Sequence, residues 1–290
     1  MKIAIGTAQF GLNYGIANTT GSKPTIAEIK KIVKVASTNN IDTYDTAIAY
    51  GDSESVLGTL NLRDKKIITK LPALPNDVTN PYDWVLNEVN GSLDRLNGCS
   101  IYGLLLHRPE QLFQRGGDEI LRALSDLKER NIVNKIGVSI YDADELENLF
   151  KLKDFDIIQA PFNIIDNKLF KSGWLHTLNK KNVEVHTRSA FLQGLLLMPP
   201  DNRPSYFDKW SGIWRVWTEW LNDNRLTALE ACVSYAMSIK EIDKVIFGID
   251  SAQQLMGILS ARNTITPQKL PEWPHNVDSA LTNPANWIVK

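Results

Sequence analysis

The segment Asp45-Thr-Ala-Ile-Ala-Tyr50-Gly51 sets a carboxylate just ahead of a phenol, and Lys70 and His107 follow, each ending an apolar run. These residue types could together protonate a carbonyl oxygen. A free tyrosine titrates near pH ~10 and is a poor acid at neutral pH. A unit positive charge about 4 Å away contributes roughly 4 kcal/mol at an effective dielectric near 20, or about three pKa units. Solvent weakens that effect, yet half of it would bring the phenol into useful range. We therefore expect Tyr50 to be the acid and Lys70 its tuner. Asp45 would keep Lys70 charged, because burial alone lowers a lysine pKa. A plain buried salt bridge would also join Asp45 to Lys70, but it would leave Tyr50 without a task. His107 closes the run Leu104-Leu105-Leu106. A lone histidine there is more often a satisfied core residue. Its place next to the strand carrying Lys70 favours a neutral imidazole that orients the carbonyl.

None of these side chains supplies electrons, so carbonyl reduction would need a nicotinamide or a flavin. The chain has no metal-ligand cluster to offer another electrophile. An isomerase or lyase using Tyr50 and His107 is a competing reading, distinguished by turnover without cofactor.

The elements that must position these residues follow a simple alternation. Short β-type runs lie at 2–7, 41–46, 66–71, 102–107, 135–140, 156–161, 183–188 and 244–249. Helical patterns separate them. Thr25-Ile-Ala-Glu28 reads as a capping box, with Ile29, Ile32, Val33 and Ala36 on one face behind it. Further helices are expected near 53–61, 81–97, 117–131, 142–152, 166–181, 227–239 and 251–263, with Asp142 and Ser251 as N-caps. Strand-then-helix repeated in this way is the pattern of a (β/α)8 TIM barrel, an α/β fold, here one domain over 1–290. An open doubly wound sheet would usually carry a Gly-rich phosphate turn after its first strand, and GTAQFG is not one. Two connections are long: 195–225 after the seventh strand, and the C-terminal tail after 264. The first holds Trp210, Trp214, Trp217 and Trp220 at near-helical spacing, which suits core packing of an extra helix or the lining of a substrate pocket. In a TIM barrel the chemistry sits at the C-terminal strand ends. Asp45, Lys70, His107, Ser139, Gln159 and Arg188 all fall there.

Composition sets the remaining bounds. Of 290 residues 22% are charged and 43% apolar, the net charge is -1, and charges are dispersed. That favours neither a nucleic-acid nor a membrane-surface partner. Cys99 and Cys232 make no disulfide framework, no leader pattern precedes the first strand, and no apolar run is long enough to span a bilayer. We expect a soluble cytoplasmic protein acting on a small molecule; oligomeric state is not legible.

These residues resemble the aldo-keto reductase family across nearly the whole chain, from GTAQFG at 6–11 to FGIDSAQQL at 247–255. DTAIAYGDSESVLG at 45–58 is the most specific part; ITKL, LLLHRPE, GVSI, IQAPFN and RSAFLQGLL follow in order. The resemblance implies reduction of an aldehyde or ketone by NADPH, with NADH as the other option, and Tyr50 as proton donor. It implies that Asp45 and Lys70 tune Tyr50 and that His107 orients the carbonyl. Ser139 and Gln159 would hold the nicotinamide carboxamide, and Arg188 would stack on the ring. Gly6 and Thr7 would lie beside the cofactor, and the stretch from Gly248 to Gln254 would wrap its phosphates, with Ser251 opening the last helix. Three features depart from the family pattern. Ile140 stands where many members have Asn. Residues 248–259 hold no Lys or Arg, leaving Arg262 as the nearest base. Gly257-Ile258 replaces a Glu-Asn pair. The N-terminus also leaves no room for the hairpin that usually closes the barrel's bottom. Some family members act as cofactor-sensing or interaction subunits, a second reading that the intact set Asp45, Tyr50, Lys70 and His107 argues against and the altered adenine site favours. The opening GTAQFGLNYGIAN resembles a subgroup associated with bacterial surface-glycan or sugar metabolism. Polar strand ends and the Trp-rich loop would suit such a sugar-like carbonyl.

Overall fold

Eight parallel strands pair in chain order, and the last closes onto the first to make a barrel. The computed structural model describes residues 1–13, 15–16, 22–274 and 277–288; Tyr14 and residues 17–18 of the GTAQFGLNYGIAN opening lie outside them. The strands are β1 (Ile3–Gly6), β2 (Thr43–Asp45), β3 (Lys66–Leu71), β4 (Ile101–Leu106), β5 (Val133–Ser139), β6 (Ile157–Pro161), β7 (Glu184–Arg188) and β8 (Lys244–Gly248). Alternate residues of a strand face opposite sides. One side meets the helices in a large apolar core. The other fills the barrel, where Ile68, Leu105 and Ile157 form a small cluster packed against Tyr102. The two-residue period therefore puts Lys66, Ile68 and Lys70 on one face of β3, and Glu184, His186 and Arg188 on one face of β7. A polar residue stands at each mouth of the barrel.

The helices are α1 (Ala8–Gly11), α2 (Ile26–Thr38), α3 (Ser53–Gly58), α4 (Pro81–Leu96), α5 (Gly117–Glu129), α6 (Glu145–Leu152), α7 (Lys168–Lys171), α8 (Trp174–Lys180), α9 (Ser211–Asp223), α10 (Ala228–Ser238), α11 (Ala252–Ala261) and α12 (Ser279–Thr282). Three differ from the sequence pattern. The helix expected over 166–181 is broken, because Gly173 takes a left-handed conformation (φ +78°) between α7 and α8. Asp142 does not cap α6. Its Oδ1 accepts from the Asp144 amide and its Oδ2 pairs with Lys168, while the Glu145 carboxylate accepts from the amides of Tyr141 and Asp142. Thr25 caps α2 as expected, but Glu28 accepts from the Ala252 amide at 2.9 Å instead of closing the box. That bond ties α2 to α11.

The connection after β7 forms α9, and its tryptophans pack inward. Trp214 donates to the Phe207 carbonyl, Trp217 to that of Leu196, and Trp220 to that of Lys269. Trp287 of the tail meets Phe207 edge-on at 4.9 Å. The two long connections thus cover each other. No described helix is long and apolar enough to cross a membrane.

Candidate active site

Strand register fixes the depth of the site. Gly6 is level with Asp45 on one side and Gly248 on the other, and Ser139 is level with Gln159. Above them opens a cavity of about 1150 Å³. Its wall includes Gly6, Thr7, Asp45, Tyr50, His107, Arg188, Gly248, Ser251 and Gln254.

Lys70 is fully buried; its Nζ lies 2.7 Å from Asp45 Oδ2 and donates to the Thr46 carbonyl at 2.8 Å. It stands 5.2 Å from the centre of the Tyr50 ring. The His107 ring meets the Tyr50 ring edge-on at 5.7 Å. The four residues singled out at the start therefore form one group, drawn from β2, β3, β4 and the loop after β2. Glycines allow that loop its position. Gly51 has a φ of +56°, and a Cβ on Gly11 would collide with the Tyr50 carbonyl. Below the loop a chain of hydroxyls joins the elements: Ser53 Oγ donates to the Thr7 carbonyl and accepts from Thr46 Oγ1, while Thr7 Oγ1 donates to the Asp45 carbonyl.

The electrostatics differ from the sequence expectation in one respect. Burial, then the Asp45 charge, push the Tyr50 phenol above its ordinary value, with Arg188 only partly offsetting them. The phenol is thus raised and not lowered, although Lys70 stands 5.2 Å from the centre of its ring. For His107, burial, then Lys70, Arg188 and Arg108, pull the imidazole down to about 3, so it is neutral at neutral pH.

Ser139 and Gln159 lie under the cavity rather than in its wall. Gln159 is fully buried; its Nε2 donates to Asp45 Oδ1 at 2.7 Å and its Oε1 accepts from Ser139 at 3.4 Å. Both carboxylate oxygens of Asp45 are thereby engaged. Arg188 donates to the Ile140 carbonyl at 3.0 Å and stacks over Tyr141 at 4.8 Å. Ser251 caps α11 by accepting from the Gln254 amide, and Gln254 in turn accepts from the Asp250 amide. Arg262 does not reach the cavity and donates to Met1 Sδ instead. None of the four tryptophans of 210–220 lines the cavity.

Sequence reasoning passed over Tyr141, Arg108 and Gln9, all in the cavity wall, and took in Asp250 only as part of the stretch 248–254. Tyr141 sits between two guanidiniums, with Arg108 at 5.7 Å. Among the described residues no group of His, Cys, Asp and Glu could hold a metal ion.

Comparison with known proteins agrees with this architecture. No curated protein matches the sequence. Among solved structures, the aldo-keto reductase AKR11C1 from Bacillus halodurans (holo form) superposes with a TM-score of 0.71 at 18% identity, over 92% of this chain and 88% of that one. The glycerol dehydrogenase AKR11B4 from Gluconobacter oxydans gives a TM-score of 0.67 at 19% identity, over 92% and 88%. At such identities the likeness speaks for the fold alone. The model of the Aldo/keto reductase family matches residues 2–273. The chain belongs to the Aldo/keto reductase family, oxidoreductases of the carbonyl-reductase type that use nicotinamide cofactors.

Proposed function

We propose that the chain reduces a small aldehyde or ketone to its alcohol, with Tyr50 as proton donor and a reduced nicotinamide dinucleotide as the second substrate. The observation that carries this reading is the meeting of Tyr50, His107 and the Asp45–Lys70 pair at one end of a long cavity.

The cavity fits a dinucleotide. In its wall, a Cβ at Gly6 would stand 3.1–3.3 Å from Ile246, Phe247 and Gly248, and a Cβ at Gly248 would run into Gln9, so both glycines let β1, β8 and Gln9 pack closely. Gly6, Thr7, Gly248, Ser251 and Gln254 would hold the cofactor, and the N-terminus of α11 favours anionic groups near it. The guanidinium of Arg188 offers a planar face to a ring. When bound, the dinucleotide supplies the hydride.

The residues of the chain manage the proton. Neutral His107 donates a hydrogen bond to the carbonyl oxygen and aims it at Tyr50. Tyr50, kept protonated by its raised pKa, gives its phenolic proton to that oxygen as the carbon accepts the hydride. The phenolate left behind lies beside Lys70, whose charge then opposes a full anion instead of a neutral phenol. Solvent returns the proton. Gln159 and Thr46 hold the Asp45–Lys70 pair in register throughout.

Tyr50→Phe tests the assignment. We expect a folded protein that still binds dinucleotide but loses reduction by at least about a hundredfold, the usual yield of a positioned acid. Near-normal turnover would remove Tyr50 from the donor role.

A further inference from the structure

The catalytic group occupies one end of the cavity, so a nicotinamide placed there sends the rest of its dinucleotide along β8 toward the N-termini of α10 and α11. Asp250 stands in this outer wall. Among the described residues it makes no ion pair, and its Oδ1 is buried with no hydrogen-bond partner. Burial pushes its carboxyl above the ordinary range, offset in part by the Gln254 amide. The neighbouring wall residues Ser251, Gln253, Gln254, Gly257 and Ile258 bring no cation. The two arginines that line the cavity, Arg108 and Arg188, belong to its catalytic end, and Arg262 is turned away onto Met1. Gln9 adds a second buried oxygen without a partner on the same wall, against Gly248.

A wall of unpaired acceptors with one negative charge suits a ligand that brings hydroxyl donors. A ribose diol does so. A ribose 2′-phosphate brings about two further negative charges and only acceptors. A carboxylate bonded to the ribose hydroxyl, as against an arginine that accommodates the phosphate, is the general chemical distinction between the two dinucleotides.

We infer that Asp250 makes this chain select NADH over NADPH, by accepting from an adenosine ribose hydroxyl and by excluding the 2′-phosphate. The inference rests on the proposed reductase reading, and the experiment separates the two.

Quenching of tryptophan fluorescence would be titrated with NADH and with NADPH at equal ionic strength, on the wild type, Asp250→Asn and Asp250→Ser. In the wild type NADH should bind more than about tenfold tighter than NADPH, since like-charge juxtaposition is strongly disfavoured. Both variants should narrow that ratio, chiefly through a lower Kd for NADPH, with unchanged melting behaviour as the control for folding. Added salt should narrow the wild-type ratio as well, because it screens the repulsion. Equal or tighter binding of NADPH by the wild type overturns the inference and leaves the reductase reading standing. A ratio unmoved in both variants overturns Asp250 as the discriminator. Binding of neither dinucleotide overturns the reductase reading and the inference with it.

Discussion

Lys70 and Asp45 are both buried, so removing one leaves the other charge buried without its counter-ion. In Lys70→Met, Asp45 keeps only Gln159 as a partner. Breaking a buried pair from one side costs about 3–5 kcal/mol. We expect a melting temperature well below wild type and reduction lowered by several orders of magnitude. The double variant Asp45→Asn/Lys70→Met should regain much of the stability but none of the rate, because the developing phenolate still lacks its cation. Thermal melts with single-turnover kinetics check both. His107 gives a pH prediction. Its folded pKa is about 3, below the ordinary value near 6.5. Between those values the unfolded chain binds a proton that the folded one refuses. Stability is therefore whole above pH ~6.5 and falls as pH drops toward about 3. His107→Gln should flatten that fall in an acid melting series, and an unchanged slope would remove His107 from the linkage. Sequence brought out Asp45, Tyr50, Lys70 and His107 because each puts a polar group at or just past the end of a short β-type run. It hid Tyr141, whose place depends on which strand ends meet across the barrel, and it reached Asp250 only as part of the stretch 248–254, since which oxygens lack a donor is set by the fold.

Position of Tyr50 is a property of elements rather than of its own side chain. The loop after β2 rests on α1 at Gly11, and Gly51 makes the turn at a φ of +56°. A Cβ at Gly51 would stand 2.6 Å from the Gly11 carbonyl, so both contacts are backbone to backbone and cannot be relieved by a rotamer. Gly51→Ala also costs about 1–2 kcal/mol for the left-handed conformation. We expect Gly11→Ala and Gly51→Ala to cut the turnover number by roughly a hundredfold through displacement of the phenol. Dinucleotide binding at the far end of the cavity should hold; turnover within twofold or so of wild type would mean the loop is not set by these glycines. Helix α9 shows the opposite case. Trp217 is almost fully buried, and Trp217→Ala should cost about 3–5 kcal/mol while leaving the Michaelis constant for the carbonyl unchanged. A raised Michaelis constant would return the tryptophans to the substrate site. Period and strand length gave β3 at its observed bounds, 66–71, since an apolar run between polar ends has one reading. The break at Gly173 was not legible in the same way, because a glycine within a helical pattern is also tolerated.

A TIM barrel divides its labour along its axis, with chemistry at the C-terminal mouth and stability at the other. The bottom of this barrel is closed by a charged layer. Glu184 accepts from Lys135 and from Tyr102, each at 2.7 Å, and meets His186 at 3.2 Å. Burial alone would raise the Glu184 carboxyl, but the bonds from His186, Lys135 and Tyr102 outweigh it and hold the group well below its ordinary range. Its contribution is therefore full above the ordinary carboxylate pKa and disappears as pH falls through the depressed folded value. The middle of the barrel is the small cluster of Ile68, Leu105 and Ile157, so this layer and the site share the three strands β4, β5 and β7 but no side-chain contact across that plug is needed by either. Glu184→Gln keeps the shape and removes the charge. Losing hydrogen bonds to charged partners costs about 1.5–3 kcal/mol, a fall of several degrees in melting temperature for a chain of this size. The variant should also lose less stability than wild type on acidification. Turnover and dinucleotide affinity at 25 °C should stay at wild-type values, the reverse of what Tyr50→Phe does. If Glu184→Gln slowed reduction without lowering stability, the bottom layer would be coupled to the site through β7, the strand that also carries Arg188.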